Sequence, residues 1–162
     1  MFSLNNKKAV ITGGGSGIGR AIATLFAKQG AEVHILDLSI ESAQEALADI
    51  QKAGGKVFSY ACNVTNQKEV LATFEKIGNI DILVNNAGIA NVGKVDTTSE
   101  TDFDRVMEVN VKGVYNCLFA AIPQLRLSNG GVIVNMCSIA AWVGLPDRFA
   151  YSTAKGAVMA MT

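Results

Sequence analysis

Tyr151 and Lys155 are two residues whose types and spacing could do acid–base chemistry. A separation of four residues places both side chains on one face of a helix, one turn apart. A free tyrosine has a pKa of about 10, which is too high for a base at neutral pH, and a neighbouring ammonium group lowers it. The pair therefore predicts a tyrosine that takes up and releases a proton during a reaction.

The glycine-rich segment TGGGSGIG, residues 12–19, could hold phosphate groups. It lies between a predicted strand and a predicted helix, where Gly13 permits a tight turn, Gly17 lets the backbone approach a pyrophosphate, and Gly19 allows helix and strand to pack closely. The amides of residues 16–18, which include Ser16 and Ile18, lie at the helix N-terminus and can bind phosphate oxygens. This context favours a dinucleotide site over a plain turn.

Asp37, at the end of the second predicted strand, favours NAD(H) over NADP(H). A carboxylate at this position accepts hydrogen bonds from the ribose hydroxyls of adenosine and repels a 2′-phosphate. Ser16 and Leu38 occupy the positions where a basic residue could bind that phosphate, and neither is basic.

Short apolar runs alternate with helical patterns along the chain. Strands are predicted at residues 7–12, 31–37, 56–62, 80–86 and 130–138. A long helix is predicted from about residue 100 to 125, with a break near Pro123. Uninterrupted apolar strands separated by helices indicate a parallel sheet covered on both faces. The prediction is a single domain, 1–162, with a doubly wound, Rossmann-like α/β fold and its ligand at the carboxyl ends of the strands.

Composition argues against several other classes of protein. Fourteen basic residues balance fourteen acidic ones, so no net field attracts nucleic acid or a membrane surface. Apolar stretches are interrupted before the roughly 18 residues that a membrane span needs, and the first residues lack the pattern of a signal peptide. The three cysteines form no CxxC pair, which indicates reduced thiols. We therefore expect a cytoplasmic protein with no metal site.

Five motifs in order resemble the short-chain dehydrogenase/reductase family along the whole chain. They are TGxxxGxG at residues 12–19, NNAG at residues 85–88, Asn110 in the long helix, Ser138 at the end of the fifth strand, and the Tyr151–Lys155 pair. The resemblance implies an oxidoreductase that transfers a hydride between NAD(H) and a secondary alcohol or ketone, with the tyrosine as acid/base.

The same resemblance implies a role for each site residue. Tyr151 would be the acid/base, Ser138 would hydrogen-bond the substrate oxygen, Lys155 would lower the tyrosine pKa and bind the nicotinamide ribose, and Asn110 would hold a water. The expected cofactor-binding residues are Gly13, Ser16, Gly17, Ile18, Gly19, Asp37, Leu38, Asn63, Val64, Asn86, Ala87, Gly88, Tyr151 and Lys155.

The sequence departs from the family pattern at Asn63, where the family usually has Asp. We expect the amide oxygen of Asn63 to accept a hydrogen bond from the adenine amino group instead. The sequence also stops inside an apolar helix, so we expect the 162 residues to be part of a longer enzyme; a chain that truly ends there is the other interpretation. The resemblance implies a homodimer or homotetramer of the full-length form.

Two alternative functions stay open at this stage. One is an NADPH-dependent 3-oxoacyl reductase. The other is a truncated nucleotide-binding module without catalysis.

Overall fold

Five parallel strands form one sheet in the order β3–β2–β1–β4–β5. The computed structural model describes residues 3–128 and 130–162; Met1 and Phe2, at the start of the predicted domain, and Asn129 lie outside the described residues. The strands are β1 (Lys8–Thr12), β2 (Glu32–Asp37), β3 (Lys56–Ala61), β4 (Ile82–Asn85) and β5 (Val132–Asn135). The predicted parallel, doubly wound sheet is confirmed.

Helices connect the strands and cover the sheet. They are α1 (Gly17–Lys28), α2 (Gln44–Lys52), α3 (Gln67–Ile77), α4 (Glu100–Met107), α5 (Gly113–Leu127) and α6 (Phe149–Ala160). One apolar layer packs α1 and α2 against the sheet, and a second packs α3 and α5 against its other face. A third, smaller cluster joins α4 to α6. Within these described ranges, none of the helices has the length and apolar character needed to cross a membrane.

Local signals set the helix boundaries. The side chain of Asn66 accepts hydrogen bonds from the amides of Lys68 and Glu69 and so caps the start of α3. Gly30, with φ of 94°, follows α1 and reverses the chain into β2. Asn66 thus fixes where α3 begins, and Gly30 fixes where the chain turns from α1 into β2.

The predicted break of the long helix near Pro123 is wrong. Pro123 lies inside α5, which continues to Leu127. Both Pro123 and Phe119, whose carbonyl loses its helical partner, are exposed, so water can satisfy that carbonyl. The buried side chains of Ala121 and Leu125 meanwhile hold the helix against the sheet.

The irregularity in the long helix lies earlier, at a π-helical turn over Glu108–Lys112 that joins α4 to α5. Strands β4 (Ile82–Asn85) and β5 (Val132–Asn135) are also shorter than predicted. Strand β4 ends at Asn85 because the next two amides donate to the hydroxyl of Thr12 rather than to a neighbouring strand.

Candidate active site

The glycine loop between β1 and α1 is held by direct backbone contact. A Cβ atom added to Gly19 would lie 2.1 Å from the carbonyl oxygen of Gly13, which no side chain tolerates. A Cβ atom on Gly17, where φ is 52°, would meet no protein atom within 4 Å. The space over the loop is thus open, and the loop amides at the N-terminus of α1 fit the pyrophosphate of a dinucleotide.

Asn86 ties this loop to the end of β4. Its Nδ2 donates to the carbonyl oxygens of Thr12, at 3.0 Å, and Gly13, at 3.1 Å. The Thr12 hydroxyl in turn accepts the amides of Asn86 and Ala87, each at 3.0 Å. The sequence analysis did not predict this structural role of Thr12, although a threonine directly precedes the glycines of the loop.

Asp37 is oriented by two backbone amides. Its Oδ2 accepts from the amide of Gly15 at 3.0 Å, and its Oδ1 accepts from the amide of Leu38 at 2.9 Å. A carboxylate offers about four lone-pair sites, so acceptor capacity remains for the two hydroxyls of a ribose. Leu38 is 75% exposed and brings no positive charge to this side of the cleft.

A turn after β3 forms the far wall of the cleft. Asn116 of α5 is fully buried, and its Nδ2 donates to the carbonyl oxygens of Val64, at 2.8 Å, and Thr65, at 3.2 Å. Gly113 allows the helix to approach, since a Cβ atom there would lie 2.8 Å from a Val64 methyl. The helix therefore fixes the position of Asn63 and Val64. Sequence reasoning missed Asn116 because an asparagine inside an apolar helix carries no local signal of its partner.

These elements enclose a cleft of about 620 Å³ along the carboxyl ends of the strands. Eleven of the predicted cofactor-binding residues line it: Gly13, Ser16, Gly17, Ile18, Asp37, Leu38, Asn63, Val64, Asn86, Ala87 and Gly88. Gly19 is buried behind the loop. Arg105, Glu108 and Val109 of the long helix also line the cleft; they were not predicted, because their distance from the glycine loop in sequence hides their proximity in space.

Tyr151 and Lys155 lie one turn apart on α6, as the spacing predicts. The Lys155 ammonium lies 5.8 Å from the centre of the Tyr151 ring and donates to the carbonyl oxygen of Met136 at 2.6 Å. Lys155 is only 6% exposed, and this burial lowers its pKa, while the nearby Cys137 opposes the shift. The site thus contains a buried cation beside a phenol.

Asn110 lies in the π-helical turn and is fully buried. Its Oδ1 accepts from the amide of Ile89 and its Nδ2 donates to the carbonyl of Ile89, both at 2.8 Å. Each polar atom of the side chain is therefore engaged once, and within residues 3–128 and 130–162 one lone pair of the oxygen and one hydrogen of the nitrogen are unused. A Cβ atom on Gly88 would lie 3.1 Å from Asn110 Oδ1 and 3.7 Å from Lys155 Nζ, which brings the cleft and the Lys155 ammonium together.

Ser138 follows β5 at the same edge of the sheet. Its Oγ accepts from the amide of Ala140 at 3.1 Å and begins a short 3₁₀ turn over Ile139–Ala141. This contact fixes the position of the oxygen but uses none of its donor capacity, so the hydroxyl proton can be directed at a ligand. Folding thus places a hydroxyl, a phenol and an ammonium group at the end of the sheet where β5 lies.

The chain belongs to the short chain dehydrogenase family, whose sequence pattern matches residues 7–162. An uncharacterized oxidoreductase of Thermotoga maritima is 43% identical over 163 residues, covering 99% of this chain and 65% of the relative. A 2-(R)-hydroxypropyl-CoM dehydrogenase of Xanthobacter autotrophicus is 42% identical, covering 97% of this chain and 66% of the relative.

A solved structure of NAD+-bound xylitol dehydrogenase superimposes with a TM-score of 0.95 at 36% identity. It is covered to 63% by this chain, of which 98% is matched. The chain therefore spans just under two thirds of the length of the relatives it resembles.

Proposed function

We propose that this chain supplies the cofactor site and the proton-transfer residues of an NAD(H)-dependent oxidoreductase acting on a secondary alcohol or its ketone. The observation that carries the proposal is the buried Lys155 ammonium, 5.8 Å from the Tyr151 ring and next to the Gly88 wall of the cleft. A buried cation whose pKa is lowered, beside a cleft, is typical of a functional site. The proposed activity is that of the whole protein, because this chain spans only part of the length of its relatives.

Asp37 supports NAD(H) as the cofactor. Its two oxygens are oriented by the amides of Gly15 and Leu38 and keep acceptor capacity for ribose hydroxyls. The same negative charge would repel a 2′-phosphate. The NAD+ bound to the related xylitol dehydrogenase agrees with this preference.

The residues of this chain divide the chemistry between them. Bound nicotinamide would accept or donate the hydride. Tyr151 would take the proton of the alcohol hydroxyl as the alcohol is oxidised, and return it in the reverse direction. Lys155, whose ammonium lies beside the Tyr151 ring, would bind the nicotinamide ribose. Ser138 would donate its hydroxyl hydrogen to the substrate oxygen and hold it at the tyrosine.

Replacing the tyrosine tests this proposal. Tyr151→Phe removes only the hydroxyl, and we expect turnover of secondary alcohols with NAD+ to fall by about 100-fold or more, the usual contribution of a positioned acid or base. The turnover is measured by NADH absorbance in the longest natural protein that contains this sequence. Tyr115→Phe, on the exposed face of α5, is the matched control and should keep full turnover. Undiminished turnover in Tyr151→Phe would show that the acid/base assignment is wrong.

The alternatives give different results in the same assays. An NADPH-dependent 3-oxoacyl reductase would bind NADPH more tightly than NADH, against the expectation from Asp37. A nucleotide-binding module would bind NADH yet show no turnover even with Tyr151 intact. We propose further that the protein is cytoplasmic, takes a small-molecule substrate and works as a homo-oligomer.

A further inference from the structure

Asn63 lies at the end of the cleft where the base of a bound dinucleotide belongs. It follows β3, the neighbour of β2, whose terminal Asp37 is the proposed partner of the adenosine ribose. With the pyrophosphate at the glycine loop, the base lies beyond the ribose, on the β3 side. That end of the cleft is lined by Asn63, Val64 and Thr65 on one wall and by Arg105, Glu108 and Val109 on the other.

The amide oxygen of Asn63 is already engaged within the protein. It accepts from the Thr65 amide at 3.0 Å and from the Thr65 hydroxyl at 3.0 Å, which accounts for its two lone pairs. The Thr65 amide is a donor only, so exchanging the oxygen and nitrogen of the Asn63 side chain would set two donors against each other. The orientation of the amide is therefore determined by the backbone.

The amide nitrogen of Asn63 is the atom left for a ligand. Its two hydrogens meet no acceptor in residues 3–128 and 130–162, and Nδ2 is not among the buried polar atoms that lack a partner, which are Asn85 Oδ1, Asn91 Oδ1 and Ser152 Oγ. It is thus accessible to solvent at a residue that lines the cleft, as a donor without an acceptor role.

We infer that Asn63 donates to the base and does not recognise the 6-amino group of adenine. Two donors cannot pair, so the amino group gains nothing from this side chain, whereas a ring nitrogen of the purine can accept from it. Arg105 on the opposite wall is likewise a pure donor. The carboxylate of Glu108 also lines the cleft and keeps its acceptors, since the ammonium of Lys112 lies 3.9 Å away, beyond hydrogen-bond distance. The side chain of Asn63 should therefore not discriminate against purine nucleotides that lack the 6-amino group. This inference rests on the proposed NAD(H) site.

Asn63→Asp tests the inference with the smallest possible change. The substitution keeps one oxygen for Thr65 and replaces the free donor by an acceptor of the same size. Isothermal titration of the longest natural protein that contains this sequence with ADP and with purine riboside 5′-diphosphate, which lacks the 6-amino group, measures the preference. We expect the native chain to bind the two within about twofold, and Asn63→Asp to prefer ADP by about fivefold or more, the value of one charge-assisted hydrogen bond. The added charge affects both ligands and cancels in the ratio.

Asn79→Asp is the matched control, since it adds the same charge at an exposed position outside the cleft lining. It should keep the native ratio. A native chain that prefers ADP fivefold or more overturns the inference, and this measurement stands even if Asn63→Asp does not fold. An unchanged ratio in a folded Asn63→Asp also overturns it. Failure of the native chain to bind either nucleotide instead overturns the proposed cofactor site.

Discussion

Glu32 and Lys155 are two charged side chains, the first partly exposed and the second buried, at opposite ends of the sheet, and the protein treats their charges in opposite ways. Glu32 on β2 accepts a hydrogen bond from Lys56, pairs with His34 Nε2 at 2.8 Å and lies 3.5 Å from the ammonium of Lys8. Burial raises the pKa of Glu32, but the hydrogen bonds from Lys56 and His34 outweigh it and lower the pKa to about 2. The folded protein therefore stabilises this charge.

Lys155 on α6 has no such compensation. Its ammonium donates to one neutral carbonyl, that of Met136, and in the described part of the chain no carboxylate lies within salt-bridge distance of it. Burial therefore lowers its pKa. A charge that folding disfavours, held beside Tyr151, supports the proposed reactive site, whereas the ion pairs and hydrogen bonds around Glu32 join β2 to β1 and β3.

The largest expected effect concerns packing, and it contrasts the crowded glycine loop with the open side of α6. Gly19 in α1 and Gly156 in α6 are both helical glycines, but a Cβ atom on Gly19 would lie 2.1 Å from the Gly13 carbonyl oxygen, and one on Gly156 would meet no atom within 4 Å. We expect Gly19→Ala to lower the free energy of unfolding by about 3 kcal/mol or more through overpacking. Gly156→Ala should raise it by about 0.5–1 kcal/mol. Urea unfolding measures both, and similar effects of the two changes would contradict this contrast.

Removing the charge of Glu32, which folding stabilises, should have a smaller effect on the free energy of unfolding, and this effect should disappear in acid. Glu32→Gln is expected to lower the free energy of unfolding at pH 7 by about 1–2 kcal/mol, less than its full pKa shift would give because the carboxylate is partly exposed. Because the folded pKa lies near 2, against an ordinary value of 4.5, this stabilisation is present above pH 4.5 and lost as the pH falls to 2.

Chemical unfolding between pH 2 and 7 should therefore show a shallower acid limb for Glu32→Gln. Glu75→Gln, an exposed residue of α3, is the control and should follow the native curve. An acid limb of native steepness in Glu32→Gln would mean that the cluster around Glu32 contributes no stability.

Removing the charge of Lys155, which folding disfavours, should have the smallest effect on stability. The effect should depend on pH in the alkaline range rather than the acid range. The unfolded chain keeps the proton on Lys155 up to its ordinary pKa of 10.5, while the folded chain releases it earlier. The stability of the native chain relative to Lys155→Met should therefore rise with pH between the lowered pKa and 10.5, by about 1.4 kcal/mol for each pH unit of that window.

Urea unfolding at several alkaline pH values tests this dependence, with Lys76→Met, in the last turn of α3, as control. A stability difference for Lys155→Met that does not change with pH would contradict the lowered pKa and weaken the contrast with Glu32.

The order and type of most elements could be predicted from the sequence. The strand before the glycine loop, Asp37 at the end of β2, and the helical spacing of Tyr151 and Lys155 all follow from local periodicity and from residue types with narrow conformational roles. Pro123 misled the prediction because a proline signal does not say whether the carbonyl it leaves unpaired faces water. The π-helical turn around Asn110 had no local signal at all.

The amino-acid sequence by itself determined the succession of strands and helices, the positions of the site residues along it, and the sheet edge at which they gather. Those properties depend on spacing, and spacing is local. Only the tertiary structure decided which polar atoms of those residues remain without a hydrogen-bond partner in the protein. Asn110 uses both polar atoms on Ile89, Asn63 gives its oxygen to Thr65, and Lys155 loses its water without gaining a carboxylate. Hydrogen-bond capacity and desolvation depend on neighbours that packing brings together, so they are fixed only in the folded chain.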